Sequence, residues 1–498
     1  MPMLLLGIDV GTSSIKVSIV DATTQQCLAS AQFPETEAEI ISPFTGWAEQ
    51  SPDSWWQYAQ QAISKANASG AYHPHDIAAI GIAYQMHGLV AVNKQQQALR
   101  NSIIWCDSRA VEIGNKAFEA IGEEVCLKRL LNSPGNFTAS KLAWVKANEP
   151  AIYEQVDKIM LPGDYIAMQL TGTVTTSISA LSEGVFWDFS TDTLSADVLN
   201  YYGFDTSVIP EIRPVFSTHG TVTNAVASAL GLKPGIPVAY KAGDQPNNAL
   251  SLNVLQPGEV AATAGTSGVI YGVSDALTYD PQSRVNSFAH VNYAPDAKRV
   301  GVLLCINGTG ILNKWTKNIT GSSKSYAALN DAAAAIPAGS DGLFVLPFGN
   351  GAERMLNNKL TGAHIQGIDL NKHTEAHLYR AGQEGIAFAF RYGLDIMREN
   401  GMRPSIIRAG KANMFLSDVF TQAFVNATNT PVELYNCDGS IGAALGAGIG
   451  AGIFASEQEA FAQLKPLQLV TPTKATEYDG WYQQWKHYLL QQLSNNSF

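Results

Sequence analysis

The chain has 498 residues, of which 46% are apolar and only 15% charged, a composition that buries a large core and excludes long disordered charged tails. Its 43 acidic residues against 32 basic ones leave a net charge of −11, which repels a phosphate backbone and argues against nucleic acid as a partner. The five cysteines, Cys27, Cys106, Cys126, Cys305 and Cys437, are odd in number and never spaced C-x-x-C, so neither a disulfide framework nor a zinc knuckle is implied and a reducing cytoplasm fits best.

At about 150 residues per domain the length suits two or three domains. The apolar run Met3 to Ile8 is too short for a signal segment and Asp9 interrupts it, so no export and no membrane attachment is expected. The first forty residues alternate as strands do, LLLGID, IKVSIVDA and QCLASAQF, with a VGTSS turn between the first two. SWWQYAQQAISKANA then reads as a helix, and AAIGIAY as a strand that runs into YQMHGLV. There Gln85, Met86 and His87 stand together, and after a second strand IIWCDSRA supplies Trp105, Asp107 and Arg109. An aromatic face beside amide, imidazole and carboxylate groups suits a polyhydroxylated ligand.

A Pro/Gly turn and strand, LKPGIPVAY, lead into KAGDQPNN and mark a boundary, giving domains 1–243 and 244–498. Soon after, EVAATAGTSGVIYGVSDA repeats the opening grammar. Gly11, Thr12 and Ser13 match Gly265, Thr266 and Ser267, and Asp21 matches Asp275, at a constant offset of 254 residues. The expectation is a duplicated architecture with one hairpin opening each of two domains. AGQEGIAFAFRYGLDIMREN reads as a further helix, so the class is α/β, two domains flanking a cleft. His373 and His377 lie four apart in HTEAH, but the glutamate is misplaced for a zinc helix, and a solvated helix face is expected. From Gly439 to Ala455 no residue is charged and six of the seventeen are glycine, which reads as a helix packed tightly inside the core rather than a membrane span.

Two glycine-rich turns facing each other would offer backbone N–H groups to a polyphosphate. The Walker pattern G-x-x-x-x-G-K-[ST] is absent, so a nucleotide here is held by another fold. Asp9, at the end of the first strand, could hold Mg²⁺ through water or steer a transferred phosphoryl group. Asp244, in AGDQPNN, could accept a proton from a hydroxyl nucleophile. Neither carboxylate by itself outweighs an ordinary turn-capping role.

Together these segments resemble the FGGY carbohydrate kinases. GIDVGTSSIK is similar to the family's first phosphate motif, GWAEQSPDSWW, NFTASKLAWV and LPGDYIAMQLTG to three further family segments, AGDQPNNAL to the segment with its catalytic aspartate, and TAGTSG to its second phosphate loop. The resemblance runs through nearly the whole chain and implies two actin-like (ribonuclease H-like) ATPase domains, the first binding a sugar and the second ATP. It implies Asp244 as general base, Asp9 beside Mg²⁺ and the transferred phosphoryl group, and Gln85, Met86, His87, Trp105, Asp107 and Gln245 at the sugar. Gly11, Thr12, Ser13, Gly265, Thr266, Gly310, Gly410 and Asn413 would then meet the nucleotide. Where relatives read Gly-Gly-Gly this chain has Ala409, Gly410 and Lys411, so Lys411 is placed to reach a phosphate or the nucleotide instead.

YQMHGLV with IIWCDSRA looks most like the branch of the family that phosphorylates D-xylulose. Met86 and His87 replace the Arg-Glu pair of the glycerol-specific branch, and TTSISALS lacks an aspartate that relatives often carry. Other acceptors (ribulose, gluconate, glycerol) and a non-catalytic actin-like nucleotide switch are the alternatives. A homodimer is the assembly typical of relatives.

Overall fold

Strands β1 (Leu4–Val10) and β2 (Ile15–Asp21) pair antiparallel around the Gly11–Thr12–Ser13 turn, with Asp9 opposite Lys16, and β3 (Cys27–Phe33) continues the meander. The structure, a computed structural model, describes residues 3–321 and 323–495. Strand β4 (Ile77–Tyr84) runs parallel to β1, and β5 (Val238–Gly243) parallel to β4, so the sheet order is β3-β2-β1-β4-β5. Parallel neighbours need a crossover, and helix α1 (Pro52–Asn67) makes the first. Ser51 caps it, Pro52 occupies its first turn, and Trp55, Ala59, Ala62 and Ile63 form the face buried against β2 and β3. A long excursion between β4 and β5 contains helix α2 (Thr138–Asn148), which stands beyond the end of β4.

The second half repeats the pattern. Strands β6 (Val260–Ala264) and β7 (Gly268–Ser274) form the hairpin around Gly265–Thr266–Ser267, with β8 (Asn286–Ala289), β9 (Val300–Ile306), β10 (Ile407–Gly410), β11 (Val432–Tyr435) and β12 (Gln468–Val470) completing a sheet of order β8-β9-β7-β6-β10-β11-β12. Within it β9-β7-β6-β10-β11 has the strand directions of β3-β2-β1-β4-β5, and β8 and β12 are additions at the edges. The offset of 254 residues between the Gly-Thr-Ser turns therefore marks two copies of one sheet.

Two helices bridge the sheets. Helix α3 (Asp244–Ser251) leaves β5 at once and lies between them, against β4 and β5 of the first and β6 and β7 of the second. Helices α4 (Gly310–Ile319) and α5 (Glu375–Glu399) belong to the second half, α5 covering β7 and β9. Helix α6 (Gly439–Gly450), the apolar glycine-rich segment, follows β11 and lies across β1, β4 and β5 of the first sheet and against α3. Its approach is backbone to backbone: a Cβ on Gly7 would stand 1.7 Å from the Ser440 carbonyl oxygen, and one on Gly81 1.9 Å from that of Ala443. Larger residues would force helix and sheet apart and open the core.

The histidine pair departs from its expected place on a solvated helix face. His373 lies in the turn before α5, while His377 is 8% exposed, accepts the Thr374 N–H at 3.2 Å on Nδ1, and donates from Nε2 to Asp341 Oδ2 at 3.3 Å. Unpaired N–H groups at a helix start reward an acceptor there, so this histidine caps α5. Among the described residues no helix is long and apolar enough to cross a membrane.

Candidate active site

Three carboxylates meet where the crossed helices begin. Asp9 is the last residue but one of β1, Asp244 opens α3, and Asp438 caps α6 by accepting from Ser440 N at 2.9 Å and Ser440 Oγ at 2.5 Å. Burial, then the charges of Asp244 and Asp438, push the Asp9 carboxyl up to about 7, with Lys16 opposing. Burial raises Asp244 to about 6, and hydrogen bonds from the backbone and side chain of Gln245 keep it from rising further. Lys16, opposite Asp9 in the β1–β2 register, pairs with Asp438, whose carboxyl stays below the usual range because Lys16 and Ser440 bond it more than burial penalises it. Burial is the main cause of the rise at Asp9, and the added negative charges of Asp244 and Asp438 are of the kind that a divalent cation offsets, so the chemistry of these oxygen donors fits one. No group of three or more His, Cys, Asp or Glu among the described residues stands at metal-holding distance.

The N-terminal wall is a tightly bonded side-chain network. Trp105, half exposed, donates from Nε1 to Thr12 Oγ1 at 2.9 Å, and Thr12 donates to Gln85 Oε1 at 3.2 Å. Gln85 Nε2 in turn donates to Gln50 Oε1 at 2.9 Å, and Gln50 Nε2 returns to the Thr12 carbonyl at 2.7 Å. The chain turns sharply at His87, φ 60°, where the ring donates from Nδ1 to the Glu183 carbonyl at 3.1 Å and packs on Phe137 and Phe288. Burial first, then the charges of Lys141 and Arg354, push the imidazole down to about 3, which keeps Nε2 an unprotonated acceptor.

Met86 and Glu183 press on Gly243, the residue before Asp244. A Cβ there would stand 2.6 Å from Met86 Cγ and 3.0 Å from Glu183 Oε2. Desolvation holds the buried Glu183 carboxyl well above its usual range. Gln245 Oε1 and Asn136 Oδ1 are among the buried acceptor atoms without a hydrogen-bond partner among the described residues, and the Glu183 carboxyl has the Tyr84 hydroxyl beside it. Buried acceptors without donors are costly, and these two would be satisfied by a ligand rich in hydroxyl groups.

The C-terminal wall is an open cavity that combines a glycine-containing turn with polar and apolar side chains. This cavity of about 490 Å³ is lined by Gly265, Thr266, Gly310, Asn313, Lys314, Tyr326, Asn330, Asn413 and Ser417, with Glu37 contributed by the first half. The Gly310 and Ile311 N–H groups bond the Gly265 and Thr266 carbonyls at 2.9 and 3.2 Å, which ties the start of α4 to the second Gly-Thr-Ser turn. A Cβ on Gly310 would lie 2.4 Å from the Gly265 carbonyl oxygen. Glu37 reaches this cavity because Ala38 N–H bonds the Ser13 carbonyl at 2.7 Å and so moors its loop to the first turn.

Of the residues singled out in the sequence, Asp9 and Asp244 lie near enough for the charge of Asp244 to act on Asp9, and Gln245 bonds Asp244. Gln85, Met86, His87 and Trp105 join Thr12 in one wall, with Gly11 and Ser13 in the same turn. Gly265, Thr266, Gly310 and Asn413 line one cavity. Gly410 and Lys411 lie outside that lining: Gly410 backs on Cys437, and Lys411 Nζ bonds Gln468 Oε1 at 3.2 Å.

Asp107 is corrected. It is fully buried and accepts from Ala48 N at 2.6 Å, Arg109 N at 2.8 Å and the Arg109 guanidinium at 2.7 Å, so it presents no carboxylate to the cleft. Arg109 also pairs with Glu49 at 2.7 Å and stacks 3.6 Å from the centre of the Trp47 ring, which makes this pair a support behind the wall. Asp438, Lys16, Glu183, Lys141, Asn136 and Glu37 escaped notice in the sequence. A charged residue inside an apolar stretch, as at Glu183 in ISALSEGVFW, was the one available signal.

The sequence profile of the FGGY family of carbohydrate kinases, N-terminal domain, matches residues 4–251, and that of its C-terminal domain matches residues 260–453. The xylulose kinase of Escherichia coli (strain K12) is 28% identical over 465 residues, 93% of this chain and 92% of that one. Among solved structures, the xylulose kinase from Rhodospirillum rubrum superposes with a TM-score of 0.86 at 26% identity over 98% of both chains. The gluconate kinase from Lactobacillus acidophilus superposes with a TM-score of 0.89 at 21% identity over 100% of this chain and 99% of that one, a likeness of fold alone.

Proposed function

We propose that this chain, which belongs to the FGGY family of carbohydrate kinases and is an ATP-dependent sugar kinase, phosphorylates D-xylulose to D-xylulose 5-phosphate. The observation that carries the reading is a pair of buried carboxylates, Asp9 and Asp244, close enough for the charge of one to act on the other, with Gln245 bonded to Asp244 and its own Oε1 unpartnered among the described residues, together with the open cavity at the Gly265–Thr266 turn. The first half, 1–243, takes the sugar, and the second, 244–498, the nucleotide.

Asp244 accepts the proton of the attacking terminal hydroxyl. Its carboxyl, raised to about 6, is ionised near neutral pH yet basic enough to help late in transfer. Neutral His87 offers Nε2 to a sugar hydroxyl, and Gln245 Oε1 accepts another. Met86 and the half-exposed Trp105 indole cover apolar faces of the sugar. The Gly265–Thr266 turn, braced by the start of α4, receives the phosphates, while Lys16 pairs with Asp438 next to Asp9. Asp9 would hold hydrated Mg²⁺, with Asp438 close enough to share its field. When bound with ATP, the ion neutralises charge on the transferring phosphoryl group. Closure of the two walls excludes water as a competing acceptor.

All five cysteines are free thiols, in keeping with a reducing cytoplasm, and a homodimer is the assembly we assign. The test is ADP release from MgATP across D-xylulose, D-ribulose, gluconate and glycerol, with identification of the sugar phosphate. The highest kcat/KM is expected for D-xylulose. A preference for another acceptor replaces the sugar assignment, and nucleotide turnover without any phosphorylated sugar replaces the kinase reading.

A further inference from the structure

Helix α2 meets the N-terminal wall from behind. Phe137 lays its ring against His87, Thr138 Oγ1 donates to the Gly88 carbonyl at 3.2 Å, and Lys141 reaches furthest in. The Lys141 side chain is fully buried and forms no ion pair among the described residues; its Nζ donates instead to the carbonyls of His87 at 2.7 Å and Ile104 at 3.0 Å. Burial pushes its ammonium down to about 7. A buried ammonium that bonds only two carbonyls, with the charge of Asp107 near it but not in contact, is an expensive way to fill a core site, and an apolar side chain of similar length commonly serves stability as well or better.

The two carbonyls are distant in sequence and belong to the two loops that form the wall. One is His87 itself, in the left-handed turn that ends the β4 segment, and the other is Ile104, directly before Trp105. Nothing else described on α2 bonds both loops. We propose that Lys141 is a positioning residue for sugar recognition: it staples the His87 loop to the Ile104–Trp105 loop and sets the gap between imidazole and indole in which the sugar is held. The assignment rests on the sugar-kinase reading above, and on no particular sugar.

The experiment compares full-length Lys141→Met and Lys141→Gln with the unaltered protein, using whichever acceptor the substrate panel ranks first. Failure of the D-xylulose assignment is thus read in the panel, separately from Lys141. Both variants are expected to raise the acceptor KM at least tenfold, with kcat within about threefold and the KM for MgATP within twofold. Lys141→Gln, keeping one donor arm, should lie between the unaltered protein and Lys141→Met. An acceptor KM within twofold of the original in a folded variant overturns the proposal. So does a parallel loss in the acceptor and ATP parameters, or failure of both variants to fold, since each assigns the lysine to general stability.

Discussion

The two walls of the cleft descend from one repeated sheet, yet they are built by different means. The N-terminal wall is side chains bonded to side chains, with Trp105, Thr12, Gln85 and Gln50 in one network and the Arg109–Asp107 pair buried behind it. The C-terminal wall is a cavity of about 490 Å³ in which the Gly265–Thr266 turn and Gly310 expose backbone. A sugar is told from its isomers by the position of each hydroxyl, which demands fixed side-chain partners. Phosphates are alike in every nucleotide and are met by N–H groups that side chains would only obstruct. Substitutions should therefore separate the walls: the first should lose acceptor recognition, the second nucleotide affinity, and the shared floor turnover.

The largest effect is expected at the floor. Asp244→Ala should lower kcat by roughly 10²- to 10⁴-fold with both KM values little changed, measured by ADP release at saturating acceptor and MgATP; turnover near that of the unaltered protein removes the base assignment. Behind the N-terminal wall, Asp107→Ala leaves Arg109 buried with fewer partners and should cost about 3–5 kcal/mol of stability. Chemical denaturation checks this, and an altered acceptor KM with unchanged stability would return Asp107 to the sugar. On the opposite wall, Gly310→Ala drives a Cβ to 2.4 Å from the Gly265 carbonyl oxygen. Displacement of that turn should raise the KM for ATP by about tenfold, on the order of the 1–3 kcal/mol of an overpacked site, and leave the acceptor KM alone.

The floor also titrates. Asp244 must be ionised to act as base, so kcat/KM should climb as pH rises through about 6. Asp9 bears on stability with the opposite sign. Its folded value of about 7 lies above the ordinary 3.8, so ionising it costs the folded state, and the ligand-free protein should lose stability as pH rises from about 4 to about 7. A divalent cation offsets that charge, so Mg²⁺ should raise the melting temperature more at pH 8 than at pH 5; an equal gain at both would detach Asp9 from the ion. The smallest effect is expected for Lys411→Ala. That lysine bonds Gln468 outside the cavity lining, and the KM for ATP should stay within about twofold.

Wherever short-range chemistry dictates structure, the sequence was enough. Alternating apolar residues around VGTSS and AGTSG specify two hairpins, Ser51 and Pro52 begin a helix, and the six glycines between Gly439 and Ala455 permit a helix to lie on bare sheet. Asp9 and Asp244 stand out because one is the last residue but one of a strand and the other directly follows a strand.

Only the tertiary structure could decide what surrounds a polar group. Asp107 and Gln85 look equally suited to a hydroxylated ligand in the sequence, but Arg109 folds back over the first and takes its carboxylate, while the second is bonded into the Thr12–Gln50 network. Asp438 joins Asp9 only because the chain returns from more than 400 residues away to lay α6 on the first sheet. Lys141 and Glu183 acquire their character from burial, which depends on which distant segments close over them. Local pattern follows from the periodicity and backbone preferences of neighbours in the chain, whereas desolvation and pairing follow from neighbours in space, and those exist only once the two sheets and their bridging helices have assembled.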